Sequence, residues 1–345
     1  MFTIYNFFIL YEIMQVGIIG INHFSSSLSQ REKVAKVCRE LFIAKQVSFP
    51  IQYVLLSTCN RTELYFSAPN LADAHSEILG LLREEIQDPF DQNLYSFFGS
   101  DCFLHLGRVI SGMDSLIFGE SDIQRQVKVS YESARIKRRL TPSLHYMFQK
   151  GLKIGKEIRT AVLPTQARLP ATIYSLVDCL KIGKKKILFI GNSVINRGVM
   201  SYFLSKGCED LTLCTRTDKT PFSSVKLEKW DVTKQWFKYD AVISGTYHGE
   251  YIIQGSSPKC EVALFDLGVP RNIDPTLAEH PQIRLYNIDD LGQMANQSKK
   301  TSEKEIQLCE TMLEKIVHRQ VDLFHRKQQS RWRYVSACEK LSILP

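Results

Sequence analysis

The stretch Ile187-Leu188-Phe189-Ile190-Gly191-Asn192-Ser193-Val194-Ile195-Asn196-Arg197-Gly198 decides how the second half of the chain is read. Four apolar residues run into a glycine and a short polar turn, after which the pattern becomes helical. A strand, a glycine turn and a helix in that order open a dinucleotide-binding unit, where backbone N–H groups at a helix N-terminus hold a pyrophosphate. The G-x-G-x-x-G fingerprint asks for glycine at 191, 193 and 196, and only Gly191 is kept. Ser193 still permits approach of a phosphate, but Asn196 replaces the glycine that lets helix and strand pack closely. Taken alone, the loop is a weak signal.

The next strand, Leu211 to Cys214, ends in Thr215-Arg216-Thr217. An acidic residue there would select the ribose 2′-hydroxyl of NAD; an arginine among hydroxyls suits the 2′-phosphate of NADP. Strands at Ala241 to Ser244, Val262 to Asp266 and Arg284 to Tyr286 continue the alternation and predict a parallel α/β sheet. Residues 299 to 333 then read as one long helix, with Ile306, Cys309, Leu313, Ile316 and Leu323 at three-four spacing. That stripe packs on this chain or on a second copy, and spacing does not choose between them.

Upstream, Pro164 and Pro170 bracket a domain boundary. Leu140 to Val162 predicts a basic helix. With Arg135, Lys137, Arg138 and Arg139 before it, and Lys150, Lys153, Lys156 and Arg159 on it, the run is a solvated face or a row of phosphate contacts. The helical segment from Asp101 is dense in polar groups: His105, Arg108, Ser111, Asp114, Ser115, Glu120, Asp122, Gln126 and Lys128. His105 and Arg108 share a face at i, i+3, and Gly112 and Gly119 mark a break that turns Ser115 and Glu120 toward a common cavity. A solvated, glycine-hinged surface explains the same polarity, since Leu104, Val109, Ile123, Val127 and Tyr131 supply apolar faces.

At the start of the chain, Val16 to Ile21 reads as a buried strand ending in Asn22-His23. Ser29-Gln30-Arg31-Glu32 fits a capping box for a helix whose apolar face is Val34, Cys38, Leu41 and Phe42, and a second amphipathic helix spans Asn70 to Gln87. Two strand-forming runs, Ile51 to Leu56 and Leu64 to Phe66, enclose the polar turn Ser57-Thr58-Cys59-Asn60-Arg61-Thr62-Glu63. A lone cysteine is most often a small buried hydrophobe. Here Arg61 can stabilise a thiolate or grip a carboxylate, and Thr58 and Asn60 offer donors on either side.

The whole chain has 345 residues, enough for two domains and a smaller third element. Its 44 basic against 36 acidic residues leave a net charge of +8, which suits a polyanionic partner. Nine cysteines without a C-x-x-C pair or a His/Cys cluster argue against a disulfide framework and a zinc site, and for a reducing compartment. Met1 to Gln15 are aromatic and apolar yet lack a basic leader segment and fall short of a membrane span, so they read as an extension upstream of a working start at Met14. No later window is apolar enough to cross a membrane, and a soluble, cytoplasmic protein is expected.

Together these motifs resemble the glutamyl-tRNA reductase family. The resemblance is carried by Gly20-Ile21-Asn22-His23, Leu56-Ser57-Thr58-Cys59-Asn60-Arg61-Thr62-Glu63-Leu64-Tyr65, and His105-Leu106-Gly107-Arg108-Val109-Ile110-Ser111-Gly112-Met113-Asp114-Ser115. It continues through Gly119-Glu120, Gln126-Val127-Lys128, Gly155-Lys156, Ile158-Arg159-Thr160, Asp266-Leu267-Gly268-Val269-Pro270-Arg271-Asn272-Ile273-Asp274-Pro275 and Tyr286-Asn287-Ile288-Asp289-Asp290-Leu291.

The resemblance implies an N-terminal α/β catalytic domain at 1–160, a Rossmann-type NADPH-binding domain at 161–295, and a long C-terminal helix with a shortened dimerisation region at 296–345. It implies Cys59 as nucleophile and His105 as a second catalytic residue. Thr58, Asn60, Arg61, Ser115, Glu120, Ser121, Asp122 and Gln126 fall at the glutamyl pocket, with Arg61 as the carboxylate clamp. Gly191, Asn192, Ser193, Val194, Ile195 and Asn196 would form the phosphate loop, with Thr215, Arg216 and Thr217 at the 2′-phosphate. The expected reaction is NADPH-dependent reduction of glutamyl-tRNA to glutamate-1-semialdehyde through a cysteine thioester, opening tetrapyrrole (haem) synthesis, by a homodimer that partners glutamate-1-semialdehyde aminomutase. Asp122 stands where the family often has glutamine. Two other readings stay open: a homologue that binds glutamyl-tRNA with impaired NADPH binding, and a cysteine-dependent aldehyde dehydrogenase, for which the basic helix has no use.

Overall fold

Period-two alternation of apolar side chains builds the first sheet and gives it two buried faces. In the computed structural model, which describes residues 14–45, 51–116, 118–120, 122–162, 168–180, 185–216, 220–255, 258–297 and 303–341, the chain divides into two units. One comprises Met1–Ser57, Arg61–Pro164 and Ser302–Pro345; the other comprises Thr165–Thr301 together with Thr58–Asn60. Ser121, Thr217 and the boundary at Pro164 lie outside the described residues.

The first unit holds strands β1 (Gly17–Asn22), β2 (Gln52–Ser57), β3 (Arg61–Ser67) and β4 (Tyr95–Phe98), hydrogen-bonded in the order β2-β3-β1-β4. All its pairings are antiparallel. Ile19, Ile21, Tyr53, Leu64 and Phe66 face helices α1 (Leu28–Arg39) and α2 (Leu71–Glu85). Val16, Ile18, Val54, Leu56 and Tyr65 face α3 (Gly99–Ser111), α4 (Asp122–Lys137) and α5 (Pro142–Val162). Sequence reasoning missed the short edge strand β4. It also set the capping box of α1 two residues late: Ser27 is the N-cap, because its extended backbone lets the hydroxyl accept from Gln30 N while Gln30 Oε1 accepts from Ser27 N.

Three glycines let the helices on the second face approach closely. A Cβ on Gly155 of α5 would stand 2.4 Å from Ile110 Cγ2, and one on Gly151 would stand 3.0 Å from Ile110 Cδ1. The long helix α9 (Glu303–Leu341) packs on the same layer, where a Cβ on Gly107 would stand 2.5 Å from Leu313 Cδ1. Its buried stripe is Cys309, Leu313, Val317 and Phe324, so part of the three-four pattern is satisfied within the chain. Leu323, placed on that stripe from spacing, is instead 36% exposed.

The second unit is a six-stranded, wholly parallel sheet in the order β10-β9-β8-β5-β6-β7. Its strands are β5 (Ile187–Ile190), β6 (Leu211–Cys214), β7 (Lys226–Glu228), β8 (Ala241–Ser244), β9 (Val262–Asp266) and β10 (Ile283–Asn287). Strands β5, β6, β8 and β9 are buried throughout, as expected of parallel strands covered on both faces. Between β5 and β8 the order reverses, which is the place where such sheets open a crevice at their carboxyl ends.

Two glycine substitutions separate close packing from open helix. Gly155→Val should lower stability of the first unit by about 1–3 kcal/mol through overpacking against Ile110. Gly198→Ala, in helix α7 (Val194–Ser205) with nothing within 4 Å of its added Cβ, should raise stability of the second unit by about 0.5–1 kcal/mol. Urea unfolding followed by fluorescence checks both signs.

Candidate active site

Glu63 is the centre of the first unit's polar cluster. Residues 61, 63 and 65 alternate onto one face of β3, and Gly20 lies directly opposite Glu63 on β1 and opposite Tyr95 on β4. A side chain at Gly20 would meet Glu63 Cγ at 2.8 Å and the Tyr95 ring at 3.1 Å. Its absence lets the Tyr95 hydroxyl reach across β1 and donate to Glu63 Oε1 at 2.6 Å. Tyr65 donates to Oε2 at 2.8 Å, Arg61 Nη1 lies 2.9 Å from Oε1, and His105 Nε2 stands 2.9 Å from the same oxygen.

Burial alone would push the Glu63 carboxyl up, but Arg61, His105 and Tyr95 hold it well below the usual carboxylate range. Burial and the Glu63 charge push the Tyr65 and Tyr95 phenols well up, so both remain donors. An ionised Glu63 fixes the tautomer of His105 with its proton on Nε2. The other ring nitrogen, Nδ1, faces Asp114 Oδ2 at 3.8 Å.

Asp114 sits in the turn after α3, and three side chains converge on it. Arg108 Nε donates to Asp114 Oδ1 at 3.1 Å and Arg61 Nη2 donates to its carbonyl, while Arg108 Nη1 reaches Glu310 of α9 at 2.8 Å. The expected face shared by His105 and Arg108 is thus closed by one acidic residue. Ser111, by contrast, donates back to the Gly107 and Arg108 carbonyls of its own helix.

Gly112 and Gly119 both adopt left-handed backbones, with φ of 80° and 79°, and Gly119 N donates to Gly112 O at 2.9 Å. This closure carries Ser115 and Glu120 on one loop. Ser115 is buried, and its Oγ has no hydrogen-bond partner among the described residues. Burial and the neighbouring Asp122 push the Glu120 carboxyl up to about 7 against an opposing pull from Arg61. Asp122 accepts from Arg125 and from Gln126 Nε2 at 2.8 Å. Arg61 is itself wholly buried, its guanidinium turned to Glu63 and the Asp114 carbonyl.

Thr58, Cys59 and Asn60 form the turn between β2 and β3, whose last pair before the turn is Ser57 with Thr62. Cys59 is partly exposed and not in a disulfide. Asn60 N donates to Thr58 Oγ1 at 3.2 Å, and the buried Asn60 Oδ1 has no hydrogen-bond partner.

In the second unit a cleft of about 380 Å³ opens at the end of β5. Gly191, Asn192, Ser193, Thr215 and Arg216 line it, together with Arg197, Trp230, Gly245, Thr246 and Tyr247, which sequence reasoning missed. Val194 and Ile195 lie outside the lining as the first residues of α7, which Ser193 caps by accepting from Asn196 N. Asn196 is fully buried. Its Nδ2 donates to Ile190 O at 2.9 Å and Gly191 O at 2.8 Å, tying the loop to the helix. The room it needs comes from the neighbouring strand, since a Cβ on Gly245 would stand 2.8 Å from Asn196 Oδ1.

Gly191 is left-handed at φ 93°, and a Cβ there would meet Thr246 Cβ at 2.6 Å. Arg216 donates to Tyr247 O at 3.0 Å and lies over the Trp230 ring, its guanidinium carbon 5.7 Å from the centroid. Behind the cleft, Asp266 accepts from the Gly268, Asn272 and Ile273 amides, and Asn272 Oδ1 accepts from Ser244 Oγ and Thr246 N. The sequence signal for Glu63 was a charged pair at i, i+2 running into the apolar residues 64–66, and for Gly20 a glycine in a strand interior.

Opposite pH signatures should separate the two acids, Glu63 and Glu120. Glu63 ionises more easily in the folded state, so its stabilisation is complete above its unfolded pKa, about 4.5, and fades as pH falls through the folded value. Glu63→Ala strands Arg61 and should cost about 3–5 kcal/mol at pH 7. Glu120 has the reverse sign: its cost grows as pH rises from about 4.5 through about 7. Glu120→Gln should therefore stabilise at pH 8, by roughly 1–3 kcal/mol, and be near neutral at pH 5. Urea midpoints at the two pH values test both.

Residues 19–162 match the family model for the glutamyl-tRNA reductase N-terminal domain, and residues 175–294 match that of shikimate/quinate 5-dehydrogenase. The chain is 33% identical over 285 residues to glutamyl-tRNA reductase of Chlamydia caviae, covering 78% of this chain and 81% of that protein. It is 30% identical over 334 residues to the Chlamydia pneumoniae enzyme of the same name, covering 91% and 94%. The fold is similar to that of glutamyl-tRNA reductase from Methanopyrus kandleri, with a TM-score of 0.51 at 21% identity over 92% of this chain and 82% of that one. The architecture expected from the motifs, an α/β domain, a Rossmann-like parallel sheet and a long C-terminal helix, is the one observed. By identity and coverage together, the chain belongs to the glutamyl-tRNA reductase family.

Proposed function

We propose that this chain reduces glutamyl-tRNA to glutamate-1-semialdehyde and free tRNA with NADPH, the first step of tetrapyrrole synthesis. The observation that carries the reading is a partly exposed thiol, Cys59, on the turn that leads directly into the Arg61–Glu63–His105 cluster. The Cys59 thiolate attacks the ester carbonyl; the Sγ–C bond forms, the C–O bond to the ribose breaks, and the tRNA 3′ end leaves as an alcohol. His105, its Nε2–H held by Glu63, takes up at Nδ1 the proton that the Cys59 thiol gives up and passes it to that oxygen. Ser115, Glu120, Asp122, Gln126, Thr58 and Asn60 are the side chains assigned to the glutamyl group. The orphaned Ser115 Oγ and Asn60 Oδ1 fit such a ligand, since buried polar atoms without partners are uncommon. The closed-over guanidinium of Arg61 makes it a buried source of positive charge and a brace for Glu63 rather than a free fork.

The cleft of the second unit fits a phosphorylated dinucleotide. Gly191 and Gly245 leave room that a Cβ would fill, Ser193 caps a helix whose N-terminus faces the cleft, and Arg197 and Arg216 supply charge for phosphates. A bound nicotinamide supplies the hydride that converts the thioester carbonyl into the aldehyde and frees the thiolate. Residues 1–160 then serve the glutamyl end and 161–295 the cofactor. Residues 296–345 serve as the dimerisation element of a cytoplasmic homodimer that hands its unstable aldehyde to an aminomutase. No described helix is long and apolar enough to cross a membrane. The weak-binder alternative rested on the lost glycines, and Gly245 answers part of that loss.

Incubation with glutamyl-tRNA in the absence of NADPH should leave a glutamyl thioester on Cys59, read as a mass adduct. Cys59→Ser turning over at the wild-type rate would overturn the mechanism. Arg216→Ala should raise KM for NADPH about tenfold or more while leaving KM for NADH within about twofold, since it removes a charge-assisted contact of ~1.5–3 kcal/mol.

A further inference from the structure

Phe97 is an exposed aromatic ring set against a proposed catalytic side chain. It lies on edge strand β4 two residues after Tyr95, so both rings point to the α3 face. Tyr95 flanks His105 at a centroid distance of 5.3 Å, and Phe97 stacks on it at 5.0 Å with 27° between planes. The two rings play different parts. Tyr95 spends its hydroxyl on Glu63, whereas Phe97 has no polar atom and remains 37% exposed.

The Phe97 ring stacks on the imidazole that would meet the leaving ribose oxygen, and more than a third of it stays exposed. In an aminoacyl-tRNA that oxygen belongs to the terminal adenosine, so a purine is tethered one sugar away from His105. Aromatic side chains at the edge of a single-stranded nucleic-acid site hold bases by stacking, because every base presents a π-face.

Resting on the proposed reductase reading, we propose that Phe97 forms the subsite for the 3′-terminal adenine of the tRNA, stacking on it while His105 handles the ribose oxygen. The ring anchors the leaving group rather than the glutamyl group, so it discriminates a nucleoside ester from a plain ester. It also shields the buried Glu63–His105 contact from water on its open side. Phe98, which alternates to the other sheet face beside Phe66 and His75, takes no part.

Two chemically charged glutamyl-tRNAs test this, one ending in adenosine and one ending in an abasic ribose. Phe97→Ala should lower kcat/KM on the adenosine-ended tRNA about ten- to hundredfold and leave the abasic one within about twofold, with Phe97→Trp restoring most of the loss. Wild type should lose a similar factor on passing from adenosine to abasic end. Equal loss on both tRNAs would make Phe97 a packing residue for His105 and overturn the subsite, as would no loss on either. A second readout does not need turnover: uncharged tRNA ending in 2-aminopurine riboside should be quenched on binding wild type and not Phe97→Ala. Quenching without any reduction of glutamyl-tRNA would keep the base subsite and remove the reductase reading; reduction without quenching would do the reverse.

Discussion

The first unit depends on one buried carboxylate. Glu63 gathers four donors onto two oxygens, and they come from three elements: its own strand, the edge strand and the helix that carries His105. A charge taken fully out of water is costly unless paired and hydrogen-bonded, and here the pairing is complete. The same constraint that keeps the charge buried also aims His105 and locks its proton to one nitrogen. Structure and chemistry are therefore satisfied by a single arrangement, and Gly20 is its silent partner.

Around that centre the charge alternates outward: Arg61, then the Asp114 carbonyl, then Arg108, then Glu310 on the long helix. Ser115 and Glu120 hang on the loop closed by Gly112 and Gly119, which is sprung between these charges. Burial, and after it the neighbouring like charge of Asp122, push the Glu120 carboxyl up to about 7.

Strand and helix positions were largely legible because apolar period dictates them: the runs at 51–56, 64–66 and 187–190 became β2, β3 and β5. The thiol turn was legible as well, since a polar heptad between two strands has few other shapes. What period cannot carry is a contact across strands. Glu63 looked like the end of a turn, and only register against Gly20 and Tyr95 makes it the hub. Arg61 was read as a carboxylate clamp because its type suits carboxylates; its burial against Glu63 is something no local pattern encodes. Strand β4 escaped notice because four residues, half of them exposed, leave little alternation to read. In the second unit Arg216 was legible from its place after β6, whereas Arg197 and Trp230 reach the cleft from a helix flank and the start of a 3-10 helix.

Asn196 and Gly245 carry a different lesson about motifs. The space that a dinucleotide loop normally obtains from a glycine in its own helix is obtained here from a glycine at the end of another strand, about fifty residues away in the chain. The requirement is a volume in space, and either wall can yield it. Two such walls are then bound to each other: glycine at 196 would leave a gap and take a side-chain donor from the Ile190 and Gly191 carbonyls, while any larger residue at 245 would press on the asparagine. A fingerprint eroded along the chain can be partly rebuilt across it.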